Sequence, residues 1–387
     1  MISAGSGFGP SAGGMIVYHS GLLNGFCAMA SVSRVVPLVA PWNNGLAVPD
    51  HPKISAATCT GLPRGRIGRV VYEQTVLPVI VKRLDVDVLL STCNVKPLLW
   101  RGPSVVVLQS LQYLHFPGQF SPLRRHYLKT IVSASVHAAD AVITVTDWER
   151  TEAIRLLGLD PDRAVTVYHG LSEAVQAMLS APSRPPRPSL VGGDPYVLMV
   201  SALYGFKNHH RLIRAFAAAV TRHRLPHQLV IAGPDADVTA LELADLARQL
   251  GVGGRVLLAG AVPHDQVPAL LAHAEAVAYV SLYETFGLPV LEALASGRPL
   301  VTSRHGATAE VAGDAARLVD AKDVDDIAAG LSDVLLDETL RRTLMRSGPE
   351  RASTFTWAAC AEKTAAVLDQ AISWHRSGPR SRLRRTA

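Results

Sequence analysis

Eight short runs rich in β-branched residues alternate with alanine- and leucine-rich stretches of helical length, and this alternation restricts the fold more than any other feature. SVVVLQS (104–110), AVITVT (141–146), AVTVYHG (164–170), YVLMVSA (196–202), HQLVIAG (227–233), RVLLAG (255–260), AVAYVS (276–281) and PLVTS (299–303) read as strands. Most end in Gly, Ser or Thr before a helix signal, as strand-to-helix turns do at the carboxyl edge of a parallel sheet. Runs this apolar are buried on both faces, so helices must cover both sides of the sheet.

The third and fourth runs are separated by SAPSRPPRPSLVGGDP (180–195), whose prolines and glycines sustain neither helix nor central strand. The chain, at 387 residues, also exceeds the roughly 250–300 at which one core stops growing. We therefore expect an α/β protein of two Rossmann-like halves: residues 1–182, a linker over 183–195, and residues 196–357. A last helical stretch over 358–375 carries apolar residues on more than one face and is expected to cross back to the N-terminal half; a basic tail follows over 376–387. Ligands of such sheets sit at the carboxyl ends of strands, so two halves facing each other would form an interdomain cleft. The first half opens abruptly: MISAG allows a strand of barely four residues, a short first strand or a misassigned start.

Composition removes several function classes. No charge-free apolar run reaches the ~18 residues of a membrane span, and no basic segment followed by an apolar stretch opens the chain; a cytoplasmic protein is expected. Cys27, Cys59, Cys93 and Cys360 form no Cys-x-x-Cys pair, against both a zinc site and a disulfide framework. Of the net charge of +6, much sits in Arg376, Arg380, Arg382, Arg384 and Arg385. Such a tail reads as a solubilising end, with weak peripheral contact to anionic lipid at the inner membrane face as the functional alternative. Without interleaved aromatics it does not point to nucleic acid.

The richest chemistry lies in SLYETFGLPVLEALASGRPLV (281–301). Pro289 suits the start of a helix that Gly297 can end, which puts the amides of Phe286, Gly287 and Leu288 at a helix N-terminus, a setting that favours phosphate. Glu284 and Glu292 flank this elbow. Taken alone, both acids are read as answers to the helix dipole. Carboxylates also accept hydrogen bonds in pairs, so they suit the vicinal hydroxyls of a nucleotide sugar, ribose at one and the transferred sugar at the other. SALYGFKNHHRLIRAFAAA (201–219) bears on these readings, because Lys207, alone equally an exposed loop lysine, falls at the turn after another strand of the same half, where a diphosphate would sit. Asn208 beside it can cap the following helix.

Other candidates are weaker. Gly13 and Gly14, closing the glycine-rich run 5–14, read as a flexible loop or as backbone that meets a phosphate; Pro10 stands where a dinucleotide fingerprint needs its third glycine. Asp85 and Asp87 open a buried strand rather than hold a metal, since no further ligand is near, and AKDVDDIAAG (321–330) reads as an acid-capped helix start. His115 and His169 follow strands of the first half, where an acceptor-side group would stand, although a lone histidine is more often structural.

Glu284-TFGLPVL-Glu292 with ALASGRPLV resembles the C-terminal signature of the retaining glycosyltransferases of family 4, which have the GT-B architecture. FKNHHRLIRAFA, AVITVTDWERTEAIRLLGLDPDRAVTVYHGL, RVLLAGAVPHDQVPALLAHAEAVAYVSLYETFG and GATAEVAGDAARLVD continue the similarity from about residue 100 to 360. The resemblance implies transfer of a hexose, with mannose as the first guess, from a GDP- or UDP-sugar to a glycan, lipid-linked or small-molecule acceptor, with retention and with neither cofactor nor metal. It implies that Glu292 holds the ribose, Glu284 the donor sugar, the Phe286–Leu288 amides the phosphate and sugar, Lys207 the diphosphate, and Gly13–Gly14 the phosphate from the other side. Lys207 and Glu284 are thus the expected catalytic groups.

Two departures bear on that transfer. Many members place an arginine just before the lysine or five positions ahead, where this chain has Phe206 and Ala202. Many carry a histidine-aspartate pair where Gln109-Ser110 stands, so Gln109, His115 and His169 are the acceptor-side candidates. A nucleotide-sugar epimerase of the same architecture and a non-catalytic nucleotide-sugar-binding protein are the competing readings.

Overall fold

The structure is a computed structural model of the chain and describes residues 13–42 and 48–377. The MISAG strand, most of the glycine-rich run and the tail arginines Arg380, Arg382, Arg384 and Arg385 therefore lie outside the described residues. The described chain divides into two compact units, at Gly170/Leu171 and again at Phe355/Thr356.

In the first unit, β1 (Leu38–Val39) pairs with β2 (Ala57–Thr58), apart from a parallel sheet of β3 (Leu89–Ser91), β4 (Ser104–Leu108), β5 (Ala141–Thr144) and β6 (Ala164–Thr166) in that order. Val105, Val106, Val107 and Leu108 are wholly buried, as the continuous apolar run requires of a strand covered on both faces. The chain returns to this unit in a helix over Trp357–Ser377, which lies along the helix Gly13–Ala28 and over β4 and β5. Gly21 and Gly25 allow that approach: a Cβ on Gly21 would fall 2.1 Å from the Trp357 ring, and one on Gly25 2.6 Å from Ala361 Cβ. At the far end of the same helix His375 Nδ1 meets Asp140 Oδ1 at 3.0 Å.

In the second unit, β7 (Tyr196–Val200), β8 (Gln228–Ala232), β9 (Val256–Gly260), β10 (Ala276–Tyr279), β11 (Leu300–Ser303) and β12 (Arg317–Val319) form one parallel sheet ordered β12-β11-β10-β7-β8-β9. The first and fourth strands of the unit are thus neighbours, with Val277 opposite Leu198. Chain order reverses there, and the loops leaving β7 and β10 diverge to opposite sides, which makes this the place where a ligand crevice forms.

All eight expected strands are present, each shorter than its window because the polar or glycine end of the run turns out of the sheet. Three short strands, β1, β2 and β12, carry no pattern long enough to read. LDVDVLLS contributes only Leu89–Ser91; Asp85, at φ 50°, and Asp87 lie in the turn after the helix Leu77–Arg83, since aspartate tolerates the left-handed region. Asp323 caps the helix Val324–Leu336, accepting from the amides of Asp325 and Asp326. The proline-rich segment is fastened to the second unit: Arg184 donates to Ala272 O, and Arg187 to Gly192 O and Asp194 O. The helix before it, Glu173–Ser180, also packs on second-unit helices through buried Val175, which is why the units part at 170/171, ahead of the expected linker.

Candidate functional site

The switch point of the second sheet explains why two residues 77 positions apart meet. Lys207 ends a short 3-10 turn, Gly205–Lys207, just past β7, and Glu284 stands in the loop after β10. Lys207 Nζ lies 2.5 Å from Glu284 Oε1 and donates to Tyr279 Oη at 2.8 Å; Tyr279 in turn donates to Glu284 Oε1 at 2.8 Å. Each group in the triangle is satisfied: the ammonium donates twice, the phenol accepts once and donates once, and a single carboxylate oxygen accepts twice. The ammonium also stands over the rings of Phe206 and Tyr279, at 5.0 and 5.3 Å from their centroids. Burial, followed by the Glu284 charge, raises the Tyr279 phenol well above its ordinary value, so it stays a neutral donor. Two of the three ammonium N–H groups are used, and Glu284 Oε2 makes no bond within the triangle.

The elbow follows directly. Gly287, at φ 90°, takes the N-cap position of the helix Leu288–Ala295, a backbone conformation that a side chain would strain. Among the described residues the amides of Gly287 and Leu288 have no acceptor in the protein, as expected for the first turn of a helix. Phe286 is buried edge-on to Phe355 at 5.9 Å. Pro289 is the second residue of the helix, not the first, and Gly297 at φ 65° follows its end.

The two glutamates have separate fates, and neither answers the dipole from the first turn, which holds no acid. Glu292 is one turn in and buried, with Oε1 accepting from Ser172 Oγ at 2.7 Å. Burial raises its carboxyl above the usual range, and the Ser172 bond, then His264, pull it back. Ser172 occupies the N-cap position of the helix Glu173–Ser180 without capping it, its hydroxyl being spent on Glu292. Asn208 behaves likewise: at φ 69° it starts the helix His209–His223, but its amide donates to Val280 O and Ala321 O and does not cap. It ties the β7 loop to those after β10 and β12 instead.

The first-unit candidates do not gather into a comparable cluster. Gly13 and Gly14 are the first two residues of the helix Gly13–Ala28. Gln109 follows β4 and is held through its backbone amide, which donates to Asn94 Oδ1 at 2.5 Å. His115 ends the short helix Gln112–His115, with Nε2 3.2 Å from Glu152 Oε2 and its ring 5.5 Å from Trp148. Burial lowers its pKa and Glu152 opposes that. His169 is buried between Tyr18 and Trp357, with centroids 4.8 and 5.9 Å away, and burial, helped by His19, pushes it down to about 3. An imidazole this acidic is a neutral packing ring near pH 7. Among the described residues no three His, Cys, Asp or Glu side chains are grouped as metal ligands.

Tyr279 and Ser172 were not singled out from sequence. A tyrosine in the otherwise aliphatic AVAY strand signals a buried hydroxyl in need of a partner, whereas Ser172, in GLSEA, carries only a helix-cap signal. Residues 184–351 match the profile of "Glycosyl transferases group 1", and residues 35–174 that of "Glycosyltransferase Family 4". The chain belongs to the group 1, family 4 glycosyltransferases. This family member is 31% identical to O-antigen chain mannosyltransferase B of Escherichia coli over 245 residues, 62% of this chain and 63% of that protein. It is also 31% identical to D-inositol 3-phosphate glycosyltransferase of Corynebacterium diphtheriae over 246 residues, 61% of this chain and 57% of that one. The chain thus spans about three fifths of the length of the curated relatives it matches. Anabaena HepE, solved with UDP and glucose, superposes with a TM-score of 0.67 at 20% identity, covering 91% of this chain and 96% of that one. That likeness identifies the fold as GT-B, two Rossmann-like parallel-sheet domains.

Proposed function

We propose that this glycosyltransferase-family chain moves a hexose, mannose in the first instance, from a nucleoside-diphosphate sugar to a hydroxyl of a glycan, lipid or small molecule, with retention and without a metal. The observation that carries the reading is the Lys207–Tyr279–Glu284 triangle beside the open amides of Gly287 and Leu288 at the sheet's switch point. A cation, neutral donors and a carboxylate stand together where charge must be neutralised and hydroxyls gripped.

In this scheme the bond between the anomeric carbon and the diphosphate oxygen breaks as a bond to the acceptor oxygen forms on the same face. The acceptor proton passes to the departing diphosphate, so no enzyme nucleophile is needed. The remaining Lys207 N–H and the elbow amides take the charge on the diphosphate; preorganised donors of this kind are usually the largest contribution to catalysis. Glu284 holds the sugar hydroxyls through Oε2, and Glu292 the ribose through the oxygen that Ser172 leaves. Tyr279 fixes both Lys207 and Glu284 without bearing charge itself.

The names of the relatives support transfer to an acceptor over epimerisation, with mannose favoured by the E. coli protein. UDP in the HepE complex supports a diphosphate nucleotide at a fold of this kind. The test is a thermal-shift panel of GDP, UDP, ADP, GDP-mannose and UDP-glucose, followed by product analysis with the stabilising donor. A ligand at a hundred times its Kd stabilises by about 2.7 kcal/mol. Stabilisation by no nucleoside diphosphate overturns the site; an interconverted donor with no new glycoside overturns the transfer.

A further inference from the structure

The opposite edge of the second sheet, where β7, β10 and β11 begin, carries a second concentration of charge. Arg184, Arg187, Arg298 and Arg341 line one cavity of about 440 Å³, with His273 and Glu275 completing its polar wall. Their bonds go mainly to neutral backbone: Arg184 to Ala272 O, Arg187 to Gly192 O and Asp194 O, Arg298 to Ala274 O, and Arg341 to Val334 O. Such bonds hold the guanidinium groups in place without cancelling their charge; among the described residues Arg341 alone of the four also has carboxylates within 4 Å, Glu338 at 3.7 Å and Glu275 at 3.9 Å. Among the described residues Glu275 is the one acid of the wall; its Oε2 lies 3.0 Å from His227 Nε2 and 3.9 Å from Arg341. Four guanidinium groups therefore line the cavity against one lining carboxylate, with Glu338 pairing Arg341 from outside the wall.

Arg298 shows the imbalance most directly. Its Nε is buried and, among the described residues, has no acceptor, a condition that native proteins seldom leave without a ligand or water. Burial and the charges of Arg184 and Arg341 act together to lower its pKa, with Tyr196 and Glu275 opposing them. Like charges drawn around a pocket in this way are a site waiting for an anion, because their mutual repulsion is relieved only when negative charge enters.

We propose that this cavity binds a small polyanion bearing two or more phosphoryl groups, recognised through its phosphate oxygens alone. Guanidinium forks match phosphate oxygens in pairs, and four of them exceed what a single phosphate can use. Among the described residues no Phe, Tyr or Trp lines the cavity, and its one ring is the His273 imidazole, whose Nε2 is bonded to Pro185 O, so no large ring face is offered to a base. Inorganic polyphosphate and the phosphate chain of a nucleotide share this chemistry. The site is separate from the Lys207 cluster: β7 begins at one and ends toward the other, and its five residues span roughly 16 Å at about 3.3 Å each.

Calorimetric titration of the full-length protein with tripolyphosphate, ATP and orthophosphate tests this. Tripolyphosphate should bind saturably, ATP about equally, and orthophosphate at least tenfold more weakly. Arg298→Gln and Arg184→Gln should each weaken tripolyphosphate at least tenfold, and Arg341→Lys, which keeps the charge and loses the fork, severalfold, with unliganded melting curves confirming folded protein. Lys207→Ala should leave this binding within twofold. Absence of saturable binding, binding of ATP but not tripolyphosphate, or loss in Lys207→Ala with retention in the arginine variants would each overturn the proposal.

Discussion

The loops after β7 and β10 in the second unit and the residues after β4 and β6 in the first occupy equivalent places in two parallel sheets, yet they are built from opposite chemistry. In the second unit a lysine, a tyrosine and a glutamate share three hydrogen bonds. In the first, His169 is wedged between aromatic rings and titrates near 3. The same strand-end position thus serves as a charged cluster in one unit and as a packing seam in the other. A strand end permits a site without determining that there is one; the partners that reach it decide.

The seam gives the largest expected effect. Trp357 is buried against Tyr18, His169, Gly21 and Gly170, and its removal opens a void that the glycine-lined wall cannot fill. Trp357→Ala should cost about 3–5 kcal/mol, read as a fall in the first unit's urea midpoint. A loss under about 1 kcal/mol would mean that the seam is not structural, and the comparison between the units would fail.

Lys207→Ala comes next. Loss of one preorganised donor typically lowers turnover ~100- to 1,000-fold, about 2.7–4 kcal/mol. The triangle adds a second, independent readout: removing the lysine strands the largely buried Glu284 carboxylate, so stability should fall as well, and Lys207→Ala/Glu284→Gln should recover stability without recovering turnover. Full turnover in Lys207→Ala would return the triangle to a merely structural role.

These two cases show where legibility ends. Lys207 and Glu284 were readable because each sits a few residues past an apolar run, and the elbow because Gly, Pro and acid spacing have local meanings. Their direct contact was not readable, since it depends on β7 and β10 being neighbours, a matter of strand order. The place of His169 was less so: Trp357 comes from 188 positions away, admitted by Gly21, and no local pattern announces it. Asn208 and Ser172 carried true cap signals at true helix starts, but tertiary acceptors outbid the backbone amides.

Acid probes the aromatic seam more gently. His169 and His19 are held at about 3 and about 4 by burial, against about 6.5 in the unfolded chain. The native state keeps both neutral while the unfolded chain takes up protons, so their contribution is intact above pH 6.5. It is lost as pH falls toward 4 and then 3, by up to about 1.4 kcal/mol per pH unit for each. Urea midpoints between pH 7 and 5 should decline, and His169→Phe should flatten the decline. An unchanged slope in that variant would mean that His169 is hydrated or already charged.

The smallest effect concerns the second glutamate. Ser172 donates to Glu292 at 2.7 Å, and that bond opposes the rise that burial imposes on the carboxyl. Removing the hydroxyl has two consequences of opposite weight. It leaves Glu292 one donor short in a buried place, which raises its carboxyl further, and it frees Oε1 for a ligand. A hydrogen bond to a charged group contributes about 1.5–3 kcal/mol, part of which a bound ribose would restore. Ser172→Ala should therefore weaken nucleoside-diphosphate binding only severalfold at pH 8 and more strongly at pH 6, the direction in which a raised carboxyl takes up its proton and becomes a poorer acceptor. Glu292→Gln, which cannot ionise, should show no difference between the two values. Equal weakening by Ser172→Ala at the two pH values would separate Glu292 from the nucleotide and leave its buried bond as a brace between two helices of the second unit.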